Sequence, residues 1–187
     1  MGLRIIGGEL KGKRLSSIRG TQIRPTADRL RESVFNILFP WIHGSIVLDL
    51  FAGTGAYGIE ALSRGAESAV FIDNHKAALS AIKNNLASCA YSNKARVIAW
   101  DIGKNLNCLN LIQHNRFNLI FIDPPYNQGL VDLALRHLGD SHCLAKEVVI
   151  VVEHSRHEAI SSERYAFEIK DQRKYRKTLV SFLTYDV

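Results

Sequence analysis

The 187-residue chain is long enough for one domain, or one domain with a small appendage, and can bury a substantial core. Its 47% hydrophobic and 22% charged residues sit near globular averages, which excludes a disordered chain. The longest unbroken apolar run, Val148 to Val152, falls far below the roughly 20 residues that cross a bilayer, so no membrane partner is expected.

Net charge is +6, unevenly placed. Residues 1–43 carry eight Arg and Lys against three Asp and Glu, and Lys170 to Lys177 carry five against one, leaving the middle slightly acidic. Basic ends around an acidic middle suggest a polyanion gripped by the termini, with solvated surface charge as the alternative. The first residues, MGLRIIGGELKGKR, lack the apolar core and small-residue cleavage site of a secretory signal, so a cytoplasmic location is expected. Cys89, Cys108 and Cys143 are odd in number and lack C-x-x-C spacing; they read as reduced, buried small hydrophobes, and no metal is expected.

In chain order, LRIIGGELKGKRL reads as a basic β-hairpin with a glycine-containing turn. PTADRLRESVFNIL follows with Leu30, Val34, Ile37 and Leu38 on one helical face, Thr26 as its cap and Asp28 in its first turn. A soft boundary near residue 43 separates this basic extension (1–43) from the main domain (44–187). From there, strands alternate with helices: strands at 45–50, 68–73, 95–100, 119–123, 147–153, 166–170 and 178–185, and helices at 56–64, 76–87, 106–113 and 130–138. Gly65 suits a left-handed cap after the first of these helices. The pattern predicts an α/β fold, a doubly wound, seven-stranded, mostly parallel sheet. The last two strands lack an intervening helix and should form an antiparallel hairpin at the sheet edge.

The stretch FAGTGAYG, residues 51–58, satisfies G-x-G-x-x-G, a turn that brings backbone N–H groups against a dinucleotide or another adenosine-containing cofactor. Asp49 precedes it. A carboxylate there would repel a pyrophosphate, whereas S-adenosylmethionine, with its ammonium and sulfonium, suits an acid. Gly53 and Gly55 let the backbone approach the cofactor, and Phe51 joins the lining. Asp73, twenty residues past Gly53, can accept both ribose hydroxyls, a feature that NAD and S-adenosylmethionine share. Asp101 is placed for an adenine amine or, alternatively, for capping its own loop. Trp100 should pack beside that pocket.

After the fourth strand comes NLIFIDPPY, residues 118–126. Asp123 offers a carboxylate and Pro124 a carbonyl acceptor; Pro125 stiffens the turn and Tyr126 offers a plane for a flipped base. Two acceptors holding the N–H groups of an exocyclic amine would localise its lone pair for methylation, with Asp123 as proton acceptor.

RIIGGELKGKRL, RPTADRLRESVFNIL, LDLFAGTGAYGIEALSRGA and FNLIFIDPPY, in this order, resemble the RsmD family of class I S-adenosylmethionine-dependent methyltransferases. The resemblance implies a Rossmann-like class I methyltransferase domain that methylates N2 of a guanine in bacterial 16S ribosomal RNA. It also implies that the RNA is presented within an assembled or partly assembled small subunit. It assigns Asp49, Gly53 and Gly55 to the cofactor, Asp73 to its ribose, and Asp123 to Tyr126 to the guanine. Arg4, Lys11, Arg24 and Arg29 lie in segments expected to approach RNA. A monomer is expected. Arg176 departs from the family, whose members often have glycine there; it should disturb the hairpin turn, or else add a phosphate contact. The alternatives are a DNA adenine-N6 methyltransferase, a dinucleotide-dependent oxidoreductase, and a noncatalytic RNA-binding module. His75 and His154 read as surface or loop residues rather than acid–base catalysts.

Overall fold

In the computed structural model, residues 2–18, 25–112, 116–160 and 166–185 are described. The aliphatic run IVLDL forms β1 (Ile46–Leu50), flanked on both sides by parallel strands, β2 (Ser68–Asp73) and β4 (Phe117–Ile122). Strands in that position are buried on both faces, which is why their sequences are nearly continuous apolar runs. β3 (Ala95–Ala99) and β5 (Leu144–Ser155) extend the parallel sheet outward. β6 (Phe167–Tyr175) and β7 (Thr178–Tyr185) form the antiparallel hairpin, with β7 inserted between β5 and β6. Among the described residues the order is β3-β2-β1-β4-β5-β7-β6, the doubly wound arrangement expected from the alternating pattern.

The helices are α1 (Pro25–Ile37), α2 (Phe39–Ile42), α3 (Ala56–Ser63), α4 (Lys76–Ser88) and α5 (Leu130–Gly139). Val47 of β1 and Leu119 and Phe121 of β4 pack with α1, α3 and α4; Leu48, Leu50, Ile120 and Ile122 face α5. α1 begins at Pro25, a residue suited to the first helical position, so Thr26 lies inside the first turn rather than capping it. Gly65 takes the expected left-handed conformation, φ 100°, after α3. The three cysteines are free and buried.

Two expected elements are shorter than their sequence suggests. The helix predicted at 106–113 is a 3-10 turn, Asn107–Leu111. Asn105 explains this: its side-chain oxygen accepts the Asn107 N–H and the Trp100 indole N–H, and the backbone closes i→i+3 bonds such as Leu109 N–H to Leu106 C=O. The N-terminal hairpin is reduced to a single antiparallel bridge, Arg4 with Arg14. Ile5, Gly12 and Leu15 still donate across it, but the N–H groups nearer the turn go to α3. Ile6 and Gly7 donate to the Glu60 carboxylate, both at 2.7 Å, Glu9 donates to the Ser63 carbonyl and Leu10 to the Ser63 hydroxyl. Gly8 makes that approach possible, because a Cβ there would sit 1.8 Å from the Ser63 carbonyl oxygen.

Arg176 does not break the β6–β7 turn. It adopts φ 57° itself, and the ladder runs through Tyr175–Thr178.

Candidate active site

The strand ends are level. Leu50 pairs with Ile72 and with Ile122, and Ile122 pairs with Val152, so Phe51, Asp73, Asp123 and Glu153 each stand one residue past a common line. This line is the carboxyl edge of the sheet at the point where β1 has β2 on one side and β4 on the other, the position at which open α/β sheets bind ligands. Strand alternation directs Asp49, Asp73 and Glu153 to the α3 side, in step with Phe71, Phe121 and Val151.

Asp49 is the deepest of these acids, 2% exposed, and accepts the Gly58 N–H at 2.9 Å. Burial pushes its carboxyl up to about 8, against the lowering effect of the Gly58 bond and with a further push from Asp73. Asp73 accepts the Gly53 N–H at 2.9 Å and the His75 N–H at 2.8 Å, bracing the glycine loop against β2. Phe51 sits at φ 58°, a left-handed conformation uncommon for a phenylalanine, so the loop turns sharply as it leaves β1. The glycines divide their work. Around Gly53 the space for a Cβ is open, whereas at Gly55 it belongs to Ile59, Phe71 and Ile82, and at Gly58 to the Phe71 ring. Only Gly53 thus leaves its backbone open to a ligand; Gly55 and Gly58 seat α3 on the sheet.

Asp101 accepts the Gly103 N–H at 3.1 Å and lies 3.8 Å from the Lys104 ammonium, so the loop-capping part of its expected role is present. Trp100 is half-buried, its indole N–H held by Asn105.

In the DPPY loop, Asp123 is half-buried, Pro124 buried, and Pro125 and Tyr126 exposed. No described residue donates a hydrogen bond to the Asp123 carboxylate or the Pro124 carbonyl. Burial, then the charges of Glu153 and Asp49, hold Asp123 well above the usual carboxylate range. Tyr126 is 37% exposed, and its phenol donates to Glu153. The same carboxylate accepts the Tyr57 phenol, whose ring stacks on Phe121 at 4.9 Å. Burial and Glu153 raise both phenols, which stay protonated as donors.

Sequence reasoning missed Tyr57 and Glu153. Tyr57 occupies a free position of G-x-G-x-x-G, and Glu153 sits in a strand with no motif; the legible signal was an acid at the end of an apolar strand next to β4. His75 is exposed, as expected, but His154 is buried at 1% exposure, with its ring held by Ser181 and by the Ser155 and Glu158 carbonyls. A histidine on the β7-facing strand has no route to solvent, and its ring atoms are already committed.

The basic residues separate. Arg4 lies 3.8 Å from Asp28, in the first turn of α1, where Arg29 is exposed. Lys11 sits in the turn docked on Ser63, at the far end of α3 from the glycine loop, about 12 Å away at 1.5 Å per residue. Arg24 lies outside the described residues.

The fold and its acid-lined carboxyl edge are those of the class I methyltransferases. Residues 3–184 match the family described as Conserved hypothetical protein 95. The chain belongs to this family, in agreement with its resemblance to the RsmD proteins. It is 39% identical over 153 residues to Ribosomal RNA small subunit methyltransferase D of Escherichia coli (strain K12), covering 81% of this chain and 74% of that one. To the protein of the same name from Haemophilus influenzae it is 37% identical, covering 81% and 78%. The solved structure of yhhF from Escherichia coli superposes with a TM-score of 0.83 at 31% identity, covering 100% of this chain and 99% of that one.

Proposed function

We propose that this protein transfers a methyl group from S-adenosylmethionine to the exocyclic N2 of a guanine in small-subunit ribosomal RNA. The observation that carries this is a pair of acceptors to which no described residue donates, the Asp123 carboxylate and the Pro124 carbonyl, beside the exposed Tyr126. An exocyclic amine presents two N–H donors, and two acceptors satisfy both while drawing the nitrogen toward tetrahedral geometry.

The residues present suit the cofactor. Asp49 and Asp73 provide acids for an ammonium and a ribose, and Gly53 leaves its backbone open. When bound, S-adenosylmethionine supplies an electrophilic methyl group on a sulfonium centre. The chain's own part is to hold and orient. Asp123, whose proton affinity is raised by burial and then by the charges of Glu153 and Asp49, is suited to take the proton that the methylated amine loses. Tyr126 supports the base, and alignment of the reactants accounts for much of the rate. Arg4 and Arg29 provide phosphate contacts at the start of α1, Lys11 a more remote one, and Arg24 joins them in the same basic segment. The names of the relatives support ribosomal RNA as the substrate.

The test is mass spectrometry of digested ribosomal RNA from cells with and without the gene, paired with tritium transfer from labelled cofactor to small-subunit particles and to DNA. Loss of one N2-methylguanine and labelling of particles alone are expected. Labelling of DNA instead would overturn the assignment.

A further inference from the structure

β6 and β7 end their ladder at Tyr175–Thr178, leaving Arg176 and Lys177 as a two-residue turn. β7 also pairs with β5, setting Glu153 opposite Val180 and Ser155 opposite Thr178. The hairpin therefore runs beyond the line of the site carboxylates. Its turn overhangs Glu153 by about three residues, roughly 10 Å at 3.3 Å per residue. Its base is fastened to the DPPY loop, since the Tyr126 hydroxyl and Thr178 Oγ1 lie 3.0 Å apart.

The charge on this hairpin is concentrated at the overhang. Arg173 is paired with Asp171 at 2.8 Å, and Lys170 is paired with Glu168. Lys174, Arg176 and Lys177 are exposed, and none is paired with a carboxylate of the described residues. Arg156, also exposed, adjoins the turn, its N–H directed at the Lys177 carbonyl at 3.5 Å. The backbone adds a second observation. Arg176 is held at φ 57°, a conformation that disfavours a side chain and suits glycine. The turn thus keeps a cation where its geometry favours glycine, and strain of this kind at the rim of a site points to a task for the side chain.

We propose, resting on the methyl-transfer function above, that Lys174, Arg176 and Lys177 form a clamp for the phosphodiesters flanking the target nucleotide. The hairpin is then a second RNA contact, on a different element from Arg4 and Arg29. The overhang is comparable with the Debye length of about 8 Å at physiological ionic strength, so the clamp acts on RNA at the Tyr126 ring and is partly screened from the acids below. It reads no sequence; it fixes the strand so that the extruded base meets Tyr126.

The variant Arg176→Gly with Lys177→Ala tests this. Glycine suits the turn, so the double variant should melt no lower than the parent and bind S-adenosylhomocysteine equally well. Affinity for a small-subunit ribosomal RNA transcript is measured against salt. With single-stranded contacts, the log–log slope should fall by about 0.7 per phosphate, hence by roughly 1.4. The comparison is Lys83→Ala with Lys94→Ala, which removes equal charge from the α4 side. An unchanged slope in the hairpin variant, an equal fall in both variants, or no RNA binding by the parent overturns the clamp. Failure of the parent to methylate RNA that it binds with the full slope would instead overturn the proposed function and leave the clamp standing.

Discussion

The Tyr126 phenol donates a hydrogen bond to Glu153 Oε1 at 2.7 Å, while Tyr57 donates to Oε2 of the same carboxylate at 3.0 Å. One side chain from β5 thereby fixes the exposed ring of the DPPY loop and the half-buried Tyr57 ring in the first turn of α3. Glu153→Gln keeps the shape but weakens both bonds. Hydrogen bonds to charged groups contribute about 1.5–3 kcal/mol, so turnover should fall roughly 10- to 100-fold with cofactor affinity unchanged. The substitution also removes a charge that raises Asp123, so the acid limb of the pH–rate profile should move to lower pH. A loss of rate with an unmoved acid limb would reduce Glu153 to a structural prop.

Asp123→Ala should lower turnover by about 10² to 10⁴-fold, the range of general acid–base catalysis, while S-adenosylhomocysteine binding by calorimetry stays near that of the parent. The stability effect has a definite sign. A carboxyl raised in the fold favours its protonated form, so the stability it contributes is present at low pH and is lost as pH rises through the folded value. Asp123→Asn should therefore leave stability intact at acid pH and improve it at alkaline pH, as read by denaturant titration. Retained turnover would remove Asp123 from the chemistry.

Asp49 gives a pH dependence of binding. Its carboxyl is pushed up to about 8 by burial, so at pH 6 the free protein carries it protonated. A ligand with an ammonium group favours the carboxylate and drives the proton off. Affinity for S-adenosylhomocysteine should rise with pH, by at most about tenfold per unit, and level off above 8. Calorimetry in buffers of different ionisation enthalpy should detect the released proton between pH 6 and 8, and Asp49→Asn should abolish both effects. A flat profile in the parent would place the ammonium elsewhere.

Much of the fold was legible because periodicity and punctuation agree: apolar strands bounded by acids, Gly65 after α3, and adjacent strands with no helix between them. Asp49, Asp73 and Asp123 were legible because each lies within one residue of a strand end, and the register carries those ends to one edge. Tyr57 and Glu153 were not, because their meeting depends on β5 lying beside β4 and on the approach of α3, long-range contacts that local pattern does not encode. The short N-terminal ladder was hidden for a related reason. Its sequence reads as a hairpin, but the N–H groups of Ile6, Gly7, Glu9 and Leu10 donate to α3 rather than across the hairpin.

That docking rests on Glu60, which is 1% exposed. Besides the Ile6 and Gly7 N–H groups, it accepts the Arg64 guanidinium at 2.7 Å, and it lies 3.8 Å from Arg31 Nε, itself a buried atom with no hydrogen bond. Glu60→Ala would strip Arg64 and Arg31 of this buried partner, leaving Arg31 with Asp28 at 3.2 Å as its remaining carboxylate, and breaking a buried pair in this way costs about 3–5 kcal/mol. At roughly 2–4 °C per kcal/mol for a chain of this size, melting should fall by about 6–20 °C. Glu60→Gln, which can still accept from the backbone, should fall less. Limited proteolysis should cut the Glu60→Ala protein first among residues 5 to 14, where the parent is protected. A melting point within about 2 °C of the parent would show that apolar packing of Leu3, Ile5 and Leu15 holds the N-terminal segment without the carboxylate.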